Sequence, residues 1–209
     1  MNIGTSSPTL AVSERLYNIA EYLDMEDKAE TRHEFNNGTI IEMAGGNLSH
    51  NLIKGRIYSL LDQKLDAPKF PHAVLNSDTK VRLERENRFA YPDVTVSDGT
   101  PEYYETPHGK TRRDAIINPL LIIEVLSDDT RAYDKGEKFE SYSAIPGFRE
   151  YVLIEPETVW VKVQYLKDPA QNLWQIETLT HPDATLQLRS LNLSLSVADI
   201  YAALEKLPK

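Results

Sequence analysis

Asp93, Glu124 and Lys138 are residues whose types and spacing could do chemistry together. Glu124 interrupts an apolar run, Pro119 to Leu126, of a length that suits a buried strand. Side chains in a strand alternate between faces, so Leu121, Ile123 and Val125 point one way and Ile122, Glu124 and Leu126 the other. A carboxylate on a buried face is costly unless it is paired, hydrogen-bonded or bound to a metal. Asp93, in Tyr91-Pro92-Asp93, is expected inside a second apolar strand, and Lys138 on the helix that follows Glu124. Two carboxylates on neighbouring strands with a lysine beside them suit metal-assisted hydrolysis of a phosphodiester. The acids would hold Mg²⁺ (or Mn²⁺), since a hard cation prefers oxygen ligands. The metal would polarise the phosphate and make bound water more acidic. The ammonium would orient the nucleophile or stabilise developing negative charge. Each residue has a plainer reading: Asp93 as a strand-end acid, Glu124 in an ion pair with an arginine, Lys138 as a solvated helix residue and Asp134 as an N-cap.

Several elements must position these groups. Leu16, Ile19, Ala20 and Leu23 recur at helical spacing and predict a helix from Val12 to Ala29, with Ser13 at its start. Asn37-Gly38 between Glu34-Phe35 and Ile40-Ile41 predicts a tight hairpin, because a type I′ turn needs positive φ at both central residues. After Gly45-Gly46, Leu48 to Leu65 reads as a long helix ended by Pro68 and Pro71. Val74 to Glu84 and Phe89 to Ser97 read as two strands around a charged turn, and residues 98 to 118 as a long polar loop. Beyond the Pro119–Leu126 strand and a polar turn, a helix is predicted from Asp134 to Ala144. Asp134 and Glu137 would form its capping box, and Pro146-Gly147 would stop it. Glu150–Glu155 with Thr158–Leu166 forms a further hairpin, followed by strands at Leu173–Leu179 and Thr185–Leu188 and a terminal helix from Val197 to Leu207. Residues 1–9 are small and polar and read as a disordered segment, leaving 10–209 as a single domain without repeat or linker.

Composition narrows the function. The chain has no cysteine, so disulfides and thiolate metal sites are excluded, which suits a cytoplasmic setting. No apolar run approaches the ~20 residues of a membrane-spanning helix, and the N-terminus lacks the basic start and apolar stretch of a secretory signal. No membrane partner is expected. The net charge of −9 argues against broad, non-specific affinity for nucleic acid but leaves room for a local basic patch. Lys110, Arg112 and Arg113 in the long loop, with Arg131 and Lys135, could form such a rim, or be solvated loop charges. Arg82, Arg85 and Arg88 interleave with acids as on an ordinary hairpin surface, and Tyr103-Tyr104 could stack on bases or anchor the loop.

The residues also resemble a family. The ordered set R-H-E-F-x-x-G-x-I, S-H-N, Y-P-D-V-T-V, E-V-L-S-x-x-T-x-x-x-D-x-x-x-K-x-x-x-Y and P-x-x-x-E-Y-V-L-I-E-P resembles the Uma2 family of predicted endonucleases. The likeness covers about Leu10 to Tyr165, and its motifs are specific as a set although weak singly. That family belongs to the PD-(D/E)xK restriction-endonuclease-like superfamily. The resemblance therefore implies a mixed α and β fold with a central mixed sheet flanked by helices, here with an N-terminal helix and extra hairpins. It makes Asp93 and Glu124 the metal-binding acids. The superfamily's lysine, two positions after the acid, is here Leu126, and Lys138 takes its place from the next helix. Asp134, Lys138 and Tyr142 are four apart and share one helix face, which would point towards Glu124, whereas Lys135 lies off it. Further positions match: Glu34 as a third acid, or a hairpin charge paired with Arg32; His50 lining the site or merely structural; and Ser127 beside the site or capping its turn.

The leading expectation is a metal-dependent nuclease acting on DNA as a homodimer. The alternatives are a catalytically inactive nuclease-fold module that binds nucleic acid or a protein, and an assembly protein whose hairpin edges pair two subunits.

Overall fold

The computed structural model describes residues 15–43, 45–66, 70–127 and 131–207. Its first helix, α1, runs Ile19–Glu26 and is shorter than expected. Asn18 explains the late start. Its side chain accepts the Glu21 N–H while the Glu21 carboxylate accepts the Asn18 N–H, a reciprocal cap. The expected cap Ser13, like the segment 1–9, lies outside the described residues. The hairpin β1 (His33–Asn36) and β2 (Thr39–Glu42) forms as expected, with Asn37 and Gly38 at φ 45° and 98°. Helix α2 spans Leu48–Leu65 and buries Ile53, Ile57, Leu61 and Leu65 at helical spacing.

The next segment departs from the two long strands predicted for it. Four short strands form instead: β3 (Val74–Asn76), β4 (Lys80–Leu83), β5 (Arg88–Ala90) and β6 (Val94–Ser97). The chain changes sheet twice here, because β4 and β5 belong to one sheet and β3 and β6 to another. Pro92 stands at the second crossing, where its missing N–H cannot continue a ladder. Residues 98–118 are not a loop but carry the hairpin β7 (Tyr103–Glu105) and β8 (Thr111–Ile116), turned near Gly109 at φ 77°. β7 is an edge strand with only Tyr104 buried, so its sequence stays polar.

Strand β9 (Pro119–Val125) is buried throughout. The helix expected from Asp134 is broken at Gly136 into α3 (Arg131–Lys135) and α4 (Glu137–Ser143). Asp134 is therefore not an N-cap; that position of α4 is Gly136, which has no side-chain cap. Then follow β10 (Glu150–Ile154), β11 (Val161–Asp168), β12 (Leu173–Leu179), β13 (Thr185–Leu188) and an unanticipated β14 (Leu193–Ser196), turned near Asn192 at φ 51°. The last predicted helix divides into α5 (Val197–Tyr201) and a 3₁₀ segment, Ala202–Lys206.

The result is a mixed α and β architecture, with two six-stranded mixed sheets in place of one central sheet. The first has the order β2-β1-β5-β4-β8-β7 and the second β12-β11-β10-β9-β6-β3. The pairs β4–β8 and β9–β10 are parallel and the other pairs antiparallel. Alternation along β9 then builds the layers. Leu121, Ile123 and Val125 pack with Ile53, Ile57 and Leu61 of α2 and with Val197 and Ile200 of α5. Ile122 and Leu126 face the opposite way, against Val81, Ala90 and Ile116 of the first sheet and Tyr142 of α4. A third cluster seats Tyr22 and Leu23 of α1 on Phe35, Phe89 and Tyr104. Each fully buried Ile or Leu contributes roughly 1.5–3 kcal/mol by leaving water. Burial on both faces of β9 thus fixes the one strand that carries Glu124.

Candidate active site

Register brings the two carboxylates together. β6 pairs antiparallel with β9 from Val94 opposite Ile123, and continuing that register sets Asp93 opposite Glu124. The strand stops before Asp93, so the acid sits at the start of β6 and not inside it as predicted. Side chains replace the ladder at this point. The Val125 N–H donates to Asp93 Oδ2 at 2.9 Å, and the Asp93 N–H donates to Glu124 Oε2 at 3.2 Å. Each acid is thus fastened by the backbone of the other's strand.

Helix α4 supplies the cation. Lys138 Nζ donates to Glu124 Oε1 at 3.0 Å and lies 2.8 Å from Asp134 Oδ1. Tyr142, one turn on, donates its hydroxyl to Glu124 Oε1 at 3.2 Å. The break at Gly136 leaves Asp134, Lys138 and Tyr142 on one side and buried. Tyr151 holds α3 by donating to the Asp134 carbonyl at 3.1 Å. Leu126, where the superfamily's lysine would stand, packs in the core, and the ammonium reaches Glu124 from the helix instead.

Helix α2 closes the other side of Asp93. His50 Nε2 lies 3.2 Å from Asp93 Oδ2, and Lys54 Nζ lies 3.7 Å from Asp93 Oδ1. The imidazole rests against the backbone of Gly46, where an added Cβ would stand 2.3 Å from His50 Nδ1. Glycine is therefore required at 46 by the ring's close approach and not by a turn. Asn47 accepts the His50 N–H at 2.8 Å and fixes the start of the helix. Lys54 is a site residue that sequence reasoning passed over. Its signal was the i, i+4 spacing from His50, which places both on one helix face.

The remaining expected residues fall differently. Glu34 pairs with Arg88 and accepts the Tyr91 N–H at 3.4 Å, while Arg32 pairs with Asp78. The expected pairing of Glu34 with Arg32 therefore does not form. Burial pulls the Lys138 ammonium down, but the charges of Glu124, Glu34 and Asp134 outweigh it and raise it, so Glu34 still acts on the site. Arg82 and Arg88 are buried, not on an ordinary surface, with Arg82 stacked over Phe89 and Arg88 over Tyr133. Tyr104 anchors the β7–β8 hairpin edge-on against Phe89, and Tyr103 is exposed. Ser127 follows β9, and its carbonyl accepts the Arg131 N–H at 3.0 Å. Four of the five residues expected to form the cationic rim have partners within the fold. Arg112 is buried between Asp27 and Asp114, Lys110 lies near Asp27, Lys135 lies over Trp160, and Arg131 pairs with Glu155.

The two acids have opposite electrostatic settings. Burial pushes the Glu124 carboxyl up to about 8, against the pull of Lys138 and with help from the charges of Asp134 and Asp93. Burial also pushes Asp93 up, but the His50 contact, the Val125 N–H and Lys54 outweigh it and hold the carboxyl below its usual value. Carboxylates pushed apart in this way mark sites built for charge chemistry. Among the described residues no group of three or more His, Asp or Glu side chains gathers as a metal cluster. The donor set is two carboxylates. It fits a small hard cation, which is held by one or two carboxylates and keeps several of its waters. A cation at Glu124 would also relieve the burial that disfavours its charge.

The chain matches the family model Uma2, described as "Putative restriction endonuclease", over residues 19–198. It is 32% identical over 184 residues to the uncharacterized protein slr1290 of Synechocystis sp., covering 88% of this chain and 90% of that protein. It is 28% identical over 173 residues to a second uncharacterized Synechocystis protein, sll1609, covering 83% of this chain and 93% of that one. In structure it is similar to a chain described as a putative nuclease from Anabaena variabilis, with a TM-score of 0.69 and 20% identity, over 90% of this chain and 99% of the other. At that identity the likeness concerns the fold. No helix among the described residues is long and apolar enough to cross a membrane.

Proposed function

We propose, for a chain that belongs to the Uma2 family, the hydrolysis of phosphodiester bonds in DNA with a divalent cation, Mg²⁺ or Mn²⁺. The observation that carries this reading is the junction at Asp93 and Glu124. Two acids from adjacent strands are pinned by each other's backbone, with an ammonium on one and an imidazole on the other. The family's description and the nuclease-like fold of the structural neighbour support the same class.

Asp93 and Glu124 would hold the cation, which when bound polarises the phosphate and makes a water more acidic. The protein's own groups do the rest. Lys138 is fixed by Glu124 and Asp134, so its charge is preorganised for a nucleophile or for the charge that grows on phosphate oxygens. Tyr142 holds Glu124 in place from the same helix. His50 orients Asp93 through Oδ2. Cutting both strands of a duplex calls for two such sites, and a homodimer would supply them; the edge strands β12 and β3 of the second sheet offer unpaired backbone for it.

The direct test is cleavage of duplex DNA by purified protein with Mg²⁺ or Mn²⁺. Asp93→Ala and Glu124→Ala should each abolish cleavage while leaving a cooperative thermal transition. Cleavage that persists in the double variant contradicts the assignment. A wild-type protein that binds DNA, cuts nothing and takes up no divalent cation is a non-catalytic module of the same fold.

A further inference from the structure

The two lysines that border the acids are held in different ways. Lys138 has a side chain only 8% exposed and is clasped by two carboxylates at 3.0 and 2.8 Å. Lys54 has a side chain 26% exposed. Among the described residues it is paired with Asp93 Oδ1 at 3.7 Å, which is an ion pair but too long for a hydrogen bond. Lys54 stands one helical turn beyond His50, which already contacts the other oxygen of the same carboxylate at 3.2 Å. The ammonium thus reaches Asp93 from the more exposed side, next to the more buried imidazole. A divalent cation on Asp93 would compete with Lys54 for that carboxylate and repel its charge at this range. The lysine would then be left at the solvent edge of the site without its partner.

Resting on the nuclease reading above, we infer that Lys54 binds a backbone phosphate of the nucleic-acid substrate, using Asp93 as its holding partner until substrate and cation arrive. An ammonium on a flexible stem suits a phosphate oxygen that approaches from solvent. The contact is made in the ground state and kept in the transition state, so it strengthens binding without accelerating the chemical step.

The experiment is steady-state cleavage of a duplex oligonucleotide by wild type, Lys54→Met and Lys54→Arg across a range of salt. Lys54→Met should raise KM about tenfold and leave kcat within about twofold, as loss of uniform binding does. One fewer phosphate contact should also make the logarithmic salt dependence of kcat/KM shallower by about one. Lys54→Arg should restore most of both. Mg²⁺ affinity measured without DNA should be unchanged or tighter in Lys54→Met, since a competing cation is gone. Unchanged KM and salt slope in an active enzyme overturn the inference and leave the nuclease reading standing. So does a fall in kcat at constant KM, which would place Lys54 in the metal site. If wild type cleaves no nucleic acid under any condition, the nuclease reading fails and this inference fails with it.

Discussion

The Lys138 ammonium donates to Glu124 Oε1 at 3.0 Å, across the junction of α4 and β9. It also meets Asp134 at 2.8 Å, so one buried cation serves two buried acids. Taking away one partner of a buried pair leaves uncompensated charge and costs about 3–5 kcal/mol. Lys138→Met is expected to lower the free energy of unfolding by about 3 kcal/mol, at the lower end because Glu124 can take up a proton. The same variant should lose cleavage altogether. Urea unfolding followed by circular dichroism measures the first, and a gel assay at a temperature where the variant stays folded measures the second. A variant as stable as wild type would mean that the acids do not depend on this ammonium.

Gly46 carries a second prediction. An added Cβ would stand 2.3 Å from His50 Nδ1, closer than atoms can approach, so the imidazole must move. Gly46→Ala should leave the fold cooperative and reduce kcat by one to two orders of magnitude, since displacements of about 1 Å in a catalytic group have that effect. The shift of the His50 ring is read directly from its side-chain NMR signals. Full activity with an unmoved ring would contradict the contact.

Glu150 is a structural acid on the same sheet. It is fully buried on β10 and accepts the Arg189 N–H at 3.1 Å, and the Ser190 N–H and hydroxyl at 3.0 and 2.7 Å. Burial raises its carboxyl despite those three donors, so ionisation of Glu150 weakens the fold as pH rises through the folded value. Glu150→Ala would leave two backbone donors and a hydroxyl unpaired, at about 1–3 kcal/mol for each buried group. A loss of about 3 kcal/mol in denaturant unfolding at neutral pH is expected, with no change in Mg²⁺ affinity.

Asp27 and Asp114 act in the opposite sense. Hydrogen bonds from Arg112 hold Asp27 below its usual value of 3.8. Burial pushes Asp114 up, but Arg112 and Lys80 more than offset it and leave it well below 3.8. Stability from these acids is therefore complete above the unfolded value and is lost as pH falls through the depressed folded values. Unfolding free energy should drop below about pH 4, and Arg112→Met should flatten that drop while lowering stability at neutral pH. An unchanged acid profile would show that the pairs are solvated and contribute nothing.

Much of the site was legible in the sequence because its logic is local. Glu124 stands out as a charge in an apolar strand, and the fourfold spacing of residues 134, 138 and 142 marks one buried side even though the helix breaks at Gly136. The hairpin at Asn37-Gly38 and helix α2 were legible for the same reason, since each is specified by its own turn chemistry or period. What was not legible depends on distant pairing. The apolar stretches 74–84 and 89–97 read as continuous strands because nothing local shows that the chain crosses between sheets at Pro92. The β7–β8 hairpin was hidden because an edge strand with one buried side chain reads as polar loop. Glu34 illustrates the limit most sharply. Its partner Arg88 lies on β5, beside β1 in the sheet but far along the chain, and charge spacing pointed to Arg32 instead.

The central claim is that Asp93 and Glu124 form one cation site. Isothermal titration of Mg²⁺ and Mn²⁺ into wild type, Asp93→Asn and Glu124→Gln tests it most directly, because it does not depend on finding the right DNA. Wild type should bind one cation, and each single variant should lose at least tenfold in affinity while keeping its thermal transition. If the variants bind as wild type does, or wild type binds no divalent cation, the two carboxylates are only a structural junction.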